Sequence, residues 1–206
     1  MVQELVNAGI QIGLALLVVF LIWLIFARKR SGFPNFTGLY GAPAKAMGLA
    51  LLAALMFAPL TIAVFMLPGL ADAATGPDTV AGRVQALGMT AETAAIILII
   101  AFLKTSGSEE ILFRGLIAKR LIAWMGFTAG NSVHALIFAS IHLLIFVAPG
   151  GPAFDPVLAA ALVGVGFTGG WVMAWINEKR AGGSIAPGWL MHGVANAIAY
   201  PALAFL

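Results

Sequence analysis

Cysteine is absent from the 206 residues, so no disulfide can staple the fold and no thiolate can act as nucleophile or metal ligand. A cysteine protease is excluded outright, and the chain carries no mark of its redox compartment. Charge is scarce as well. Charged residues make up 9% of the chain and apolar ones 62%, against roughly 25% charged in soluble domains. No water-facing surface can be built from so few ions, and the mean hydropathy of +1.03 points the same way. A basic stripe that could follow a phosphate backbone is lacking, which excludes nucleic acid as the expected partner. Also missing are the inverted repeats that mark many transporters, low-complexity tracts and any hydrophilic block large enough for a second domain. The chain reads as one integral membrane domain over 1–206, with the lipid bilayer as its surroundings.

What the sequence does contain is a series of apolar runs, most of them close to the roughly 17–25 residues that a helix needs to cross a bilayer. About six crossings are expected: near 8–27, 46–67, 93–103, 132–148, 157–176 and 185–205. The first run lacks the positive leader of a secretory signal and is expected to be retained. Pro59 should bend or interrupt the second, and 71–92, with Asp72, Asp78, Arg83 and Glu92, reads as an external loop. The third run is short and is expected to break near Ser106 and Gly107. Beyond it, 108–123 mixes EE, FR and KR with Ile111, Leu112, Leu116 and Ile117, the pattern of an interfacial or re-entrant helix carrying EEILFR. The fold class is therefore all-α, a polytopic helical bundle. Arg28, Lys29, Arg30, Lys45, Lys104, Lys119, Arg120, Lys179 and Arg180 fall on one side if the N-terminus is outside, leaving Arg83 opposite. The positive-inside rule makes that side cytoplasmic.

Three polar clusters interrupt the oil: EEILFR with Glu109, Glu110 and Arg114, FASIHLL with His142, and HGVAN with His192 and Asn196. An ionisable side chain at membrane depth costs several kcal/mol unless it is paired or faces a wet cavity. Glu110 and Arg114 are four apart and can pair on one helix face. That leaves Glu109, about 100° away, free to point into a cavity as a base. Phe138 lies one turn before His142 on the same face, while His134 reads as structural or entry-lining. His192 and Asn196, again four apart, project imidazole and carboxamide into one space, as an oxyanion hole requires. Each cluster has a plainer reading: a charged interfacial helix, a buried histidine bonded to a carbonyl, or a polar clamp between helices. Gly166 and Gly170 form a GxxxG that suits close packing within the bundle better than dimerisation. Pro187 and Pro201 are placed to bend the last span.

In this order, EE with R four after the second Glu, then F with H four on, then H with N four on, the motifs resemble the CAAX protease and bacteriocin-processing (CPBP) family, which includes the type II CAAX prenyl endopeptidases. The similarity runs over about 108–197. It implies an intramembrane endopeptidase in which Glu109 activates a water, His142 helps hold it, His192 and Asn196 stabilise the oxyanion, and Glu110, Arg114 and Phe138 support the site. The implied substrate is a membrane-associated peptide or protein, lipidated as in CAAX substrates or not, and the implied location is the plasma membrane of a prokaryote, with the cavity toward the cytoplasm.

Glu109, His142 and His192 are also the ligand types of a His2Glu zinc site. No HExxH is present, and a glutamate used as ligand cannot also be the free base, so a cofactor-free site is favoured over zinc. Two rivals stand beside catalysis. One is a noncatalytic scaffold or bacteriocin self-immunity protein that binds a partner protein, and the other is a proton-relay transporter, which would not need the His192 and Asn196 pair.

Overall fold

The computed structural model describes residues 1–206 and is built of helices alone. In chain order they are α1 (Val2–Phe26), α2 (Phe33–Thr37), α3 (Ala44–Phe65), α4 (Leu70–Ala74), α5 (Val80–Leu87), α6 (91–125), α7 (Phe127–Phe146), α8 (Pro156–Arg180) and α9 (Ala186–Phe205). Four of them, α1, α3, α7 and α8, are long and apolar enough to cross a membrane. Polar residues accumulate instead on α6 and α9.

Local chemistry sets the helix ends. Thr90 caps α6 by accepting from the Thr93 amide at 3.1 Å, and Asp155 caps α8 by accepting from Val157 and Leu158 at 2.7 and 3.0 Å, with Pro156 in the first turn. Gly126, at φ +78°, turns the chain between α6 and α7.

The structure corrects three expectations. α6 does not break at Ser106 and Gly107, and EEILFR does not form a separate interfacial helix. One rod runs from 91 to 125, and its hydrogen bonding widens from i→i+4 to i→i+5 over Ile99–Thr105 and again over Glu110–Ala118. The serines that signal a break bond backward instead, Ser106 Oγ to the Ala101 carbonyl and Ser108 Oγ to the Lys104 carbonyl at 2.6 Å. α3 continues through Pro59, whose ring sits on the exposed face. Finally, 71–92 is not an open loop. α4 and α5 fold over the bundle end, burying Ala81 and Val84 against Ile97 and Ala204.

Small residues bring the long helices together. Ala46, Ala50, Ala54 and Ala58 recur every fourth position along α3 and are all buried. They let α3 lie close against Met191 of α9 and Met173 and Ile176 of α8. A Cβ at Gly166 would stand 3.1 Å from Ala139 Cα and one at Gly170 3.0 Å from the Phe138 ring, so the GxxxG of α8 serves contact with α7. On the outside, Leu14, Leu17, Leu21, Leu52, Leu55 and Met56 are exposed, as lipid contact requires.

Ala54→Leu should lower stability by about 1–3 kcal/mol through overpacking, whereas Leu52→Ala, on the exposed face, should change it little. Thermal unfolding of both variants in detergent measures the contrast.

Candidate active site

Three helices deliver the polar clusters to one place. Glu109 comes from the middle of α6, His142 from the last turns of α7, and His192 and Asn196 from successive turns of α9. All four line a cavity of about 370 Å³. A smaller lobe of about 90 Å³ adjoins it and shares His142, His192 and Asn196, with Phe57, Leu162, Val165, Met173 and Met191 among its walls.

The adjacent glutamates take opposite roles because consecutive helical positions face about 100° apart. Glu110 is completely buried, and its Oε1 lies 2.9 Å from Arg114 NH1. Arg114 is equally buried and lays its guanidinium 4.0 Å from the centroid of the Phe138 ring. Glu109 stays partly exposed, at 27% of its side chain, with Oε2 3.9 Å from His192 Nε2. That separation is too long for a hydrogen bond and leaves the carboxylate free toward the cavity.

Hydrogen bonds fix both imidazoles. His142 Nδ1 lies 3.2 Å from the Phe138 carbonyl and His192 Nδ1 3.0 Å from Glu110 Oε1. A carbonyl and an ionised carboxylate can only accept, so both Nδ1 atoms carry the proton and both rings present Nε2 to the cavity. Phe138 braces the two rings edge-on, with centroids 5.3 Å from His142 and 6.0 Å from His192. His134, in contrast, lines neither cavity. It is buried beside Asn131, with Nδ1 3.3 Å from Oδ1.

Some of the site escapes sequence reasoning. The bond from His192 to Glu110 makes the support pair an orienting pair as well. Tyr200 lines the cavity and lies 3.3 Å from Thr105, which sits one turn before Glu109. The i, i+4, i+8 spacing of His192, Asn196 and Tyr200 was the available signal. Gly188 is needed because a Cβ there would meet Asn177 Nδ2 at 2.6 Å and Glu110 Oε2 at 2.9 Å, while its amide donates to Asn177 Oδ1 at 2.8 Å.

Two further points bear on the expected site. In this arrangement no three His, Asp or Glu side chains are grouped as a metal site. The cavity also does not open toward the basic loops. Its walls come from Thr61 and Phe65, from α4 and 79–81, from 145–151 and from the far end of α9, all at the opposite end of the bundle. Lys104 belongs to that end too, 3.6 Å from Glu4, whose other oxygen pairs with Arg83 at 2.7 Å. Sequence neighbourhood misplaced it because a long side chain is read by its partner, not by its position in the chain.

Breaking the buried pair with Arg114→Ala should cost about 3–5 kcal/mol, because Glu110 is left as an uncompensated buried charge; Glu110→Leu combined with Arg114→Met should recover much of that loss. Chemical or thermal unfolding of the single and double variants tests this.

The family model for type II CAAX prenyl endopeptidases, Rce1-like, matches residues 91–198, just over half of the chain. No significant match is found among curated proteins or among solved structures. The matched stretch begins at the start of α6, ends within α9 and encloses Glu109, His142, His192 and Asn196, and on that match the chain belongs to the Rce1-like type II CAAX prenyl endopeptidase family.

Proposed function

We propose that the protein is an intramembrane endopeptidase that hydrolyses a peptide bond in a membrane-associated substrate by direct attack of water. The observation that carries this reading is the meeting of a free carboxylate, two oriented imidazoles and a carboxamide on one cavity. With α6 and α9 crossing beside α1, α3, α7 and α8, the bundle would have six spans.

Glu109 is the one partly exposed carboxylate on the cavity and takes a proton from water. His142, its Nδ1 proton committed to the Phe138 carbonyl, offers the Nε2 lone pair to that same water and orients it. The hydroxide oxygen bonds to the scissile carbonyl carbon as the C=O pair moves to oxygen. Asn196 Nδ2–H donates to the oxyanion, and the His192 ring, oriented by its Nδ1 bond to Glu110, completes the polar wall around it. As the C–N bond breaks, Glu109 returns its proton to the leaving nitrogen, so no acyl-enzyme forms. The reading is metal-free, since Glu109 acts as base and not as ligand.

The test is turnover of quenched-fluorescence peptides, with and without a prenyl group, by detergent-purified protein. Glu109→Gln should lower kcat at least ~100-fold and Asn196→Ala about 100- to 1000-fold, with chelator leaving the parent unchanged. Loss of bound zinc together with activity would overturn the metal-free mechanism. Folded Glu109→Gln and His142→Ala proteins that keep the biological activity would establish the scaffold or immunity reading instead.

A further inference from the structure

Charge divides the bundle along its length. One end carries Arg28, Lys29, Arg30, Lys45, Lys119, Arg120, Lys179 and Arg180 with Glu178 as its only acid; the other carries Glu4, Asp72, Asp78, Glu92 and Asp155 with Arg83 and Lys104. By the positive-inside rule, so steep a gradient assigns the basic end to the cytoplasm.

That end is also closed. Ile185 donates its amide to the Gly38 carbonyl at 3.0 Å, Tyr40 Oη donates to Gly182 at 2.7 Å and Ser184 Oγ to the Tyr40 carbonyl at 2.5 Å. Burial, with the nearby Glu178 carboxylate, pushes the Tyr40 phenol above its ordinary range and keeps it a donor. Lys119 ties Gly183 at 2.6 Å to Glu178 at 2.9 Å, and Arg120 reaches the Phe36 carbonyl at 2.9 Å. No residue of these segments lines the cavity, whose exposed rim is Ala148, Pro149 and Gly150 at the acidic end.

The lining itself constrains the ligand. It contains no lysine or arginine, and Glu109 is its only carboxylate; Phe65, Val80, Ile145, Leu203 and several alanines make the wall. A substrate ending in a free carboxylate near the scissile bond would find no lysine or arginine to pair with and would face Glu109. An uncharged apolar segment fits, with one side chain in the lobe between Phe57, Leu162 and Met173.

We infer that the cavity is loaded from the extracytoplasmic face and takes an uncharged, apolar internal segment of an exported or membrane-inserted chain. The cleavage part rests on the function proposed above; the access part does not. The cysteine-free chain suits the test. Single Ala74→Cys, Ala148→Cys and Lys179→Cys variants are treated with a membrane-impermeant maleimide, first in intact spheroplasts and then after lysis. The expected result is labelling of the first two in intact spheroplasts and of Lys179→Cys only after lysis. Reversed labelling, labelling of all three in intact spheroplasts, or no labelling of Ala148→Cys even after lysis overturns the access face. For the substrate class, purified protein is given apolar peptides ending three residues beyond the scissile bond, as amide or as free acid. The amide should be cut at least ~10-fold faster, a difference of about 1.4 kcal/mol in transition-state binding; equal or faster cleavage of the acid overturns the proposal. Glu109→Gln separates the two readings, because a variant that still cleaves defeats the mechanism while leaving the labelling pattern intact.

Discussion

The ion pair between Glu110 and Arg114 is the constraint on which the site rests. Two charges removed from water cost several kcal/mol each unless geometry and further hydrogen bonds compensate them. Here the partial compensation comes from three helices, with Arg114 held by ion pairing and ring contact and not by hydrogen bonds. Arg114 holds Glu110 on α6 and lies on Phe138 of α7, while Glu110 takes a proton donor from His192 of α9. Satisfying the pair therefore fixes how α6, α7 and α9 meet. Phe138 extends the constraint by bracing both imidazoles, so that the cavity floor is assembled by the same contacts that neutralise the buried charges.

Against that fixed floor, Glu109 differs from Glu110 only by one position along α6. The neighbouring carboxylate is locked, and this one is free. The second stretch of wider hydrogen bonding begins at Glu110, directly after the carboxylate that lines the cavity. Such turns recur at functional sites because they displace side chains without ending the helix.

Much of this was legible in the sequence because helical periodicity makes short-range geometry readable. Pairs four apart, Glu110 with Arg114, Phe138 with His142 and His192 with Asn196, project together whatever the rest of the chain does. The apolar runs located α3, α8 and α9 to within a few residues for the same reason, but stopped far short of the end of α6. Contacts between distant segments were not legible. His192 and Glu110 are 82 positions apart, and Tyr200 and Thr105 are 95 apart. α4 and α5 were hidden because short helices in a polar stretch leave little periodic signal, and the serines of α6 mimic a break while in fact bonding backward. The side to which the cavity opens depends on which loops cover which ends, and one-dimensional charge counting carries only part of that information.

The stitched floor has a consequence for the cell. A hydrophilic hollow reaching the middle of a bilayer would, if open at both ends, let protons and ions run down their gradients. Below Glu109 the path meets Phe138, the Glu110 and Arg114 pair and then the hydrogen-bonded connections around Gly38 and Gly183. On the proposed function the protein is thus a cup and not a channel: it would bring water to a peptide bond at membrane depth while the permeability barrier, and the proton-motive force that depends on it, stays intact.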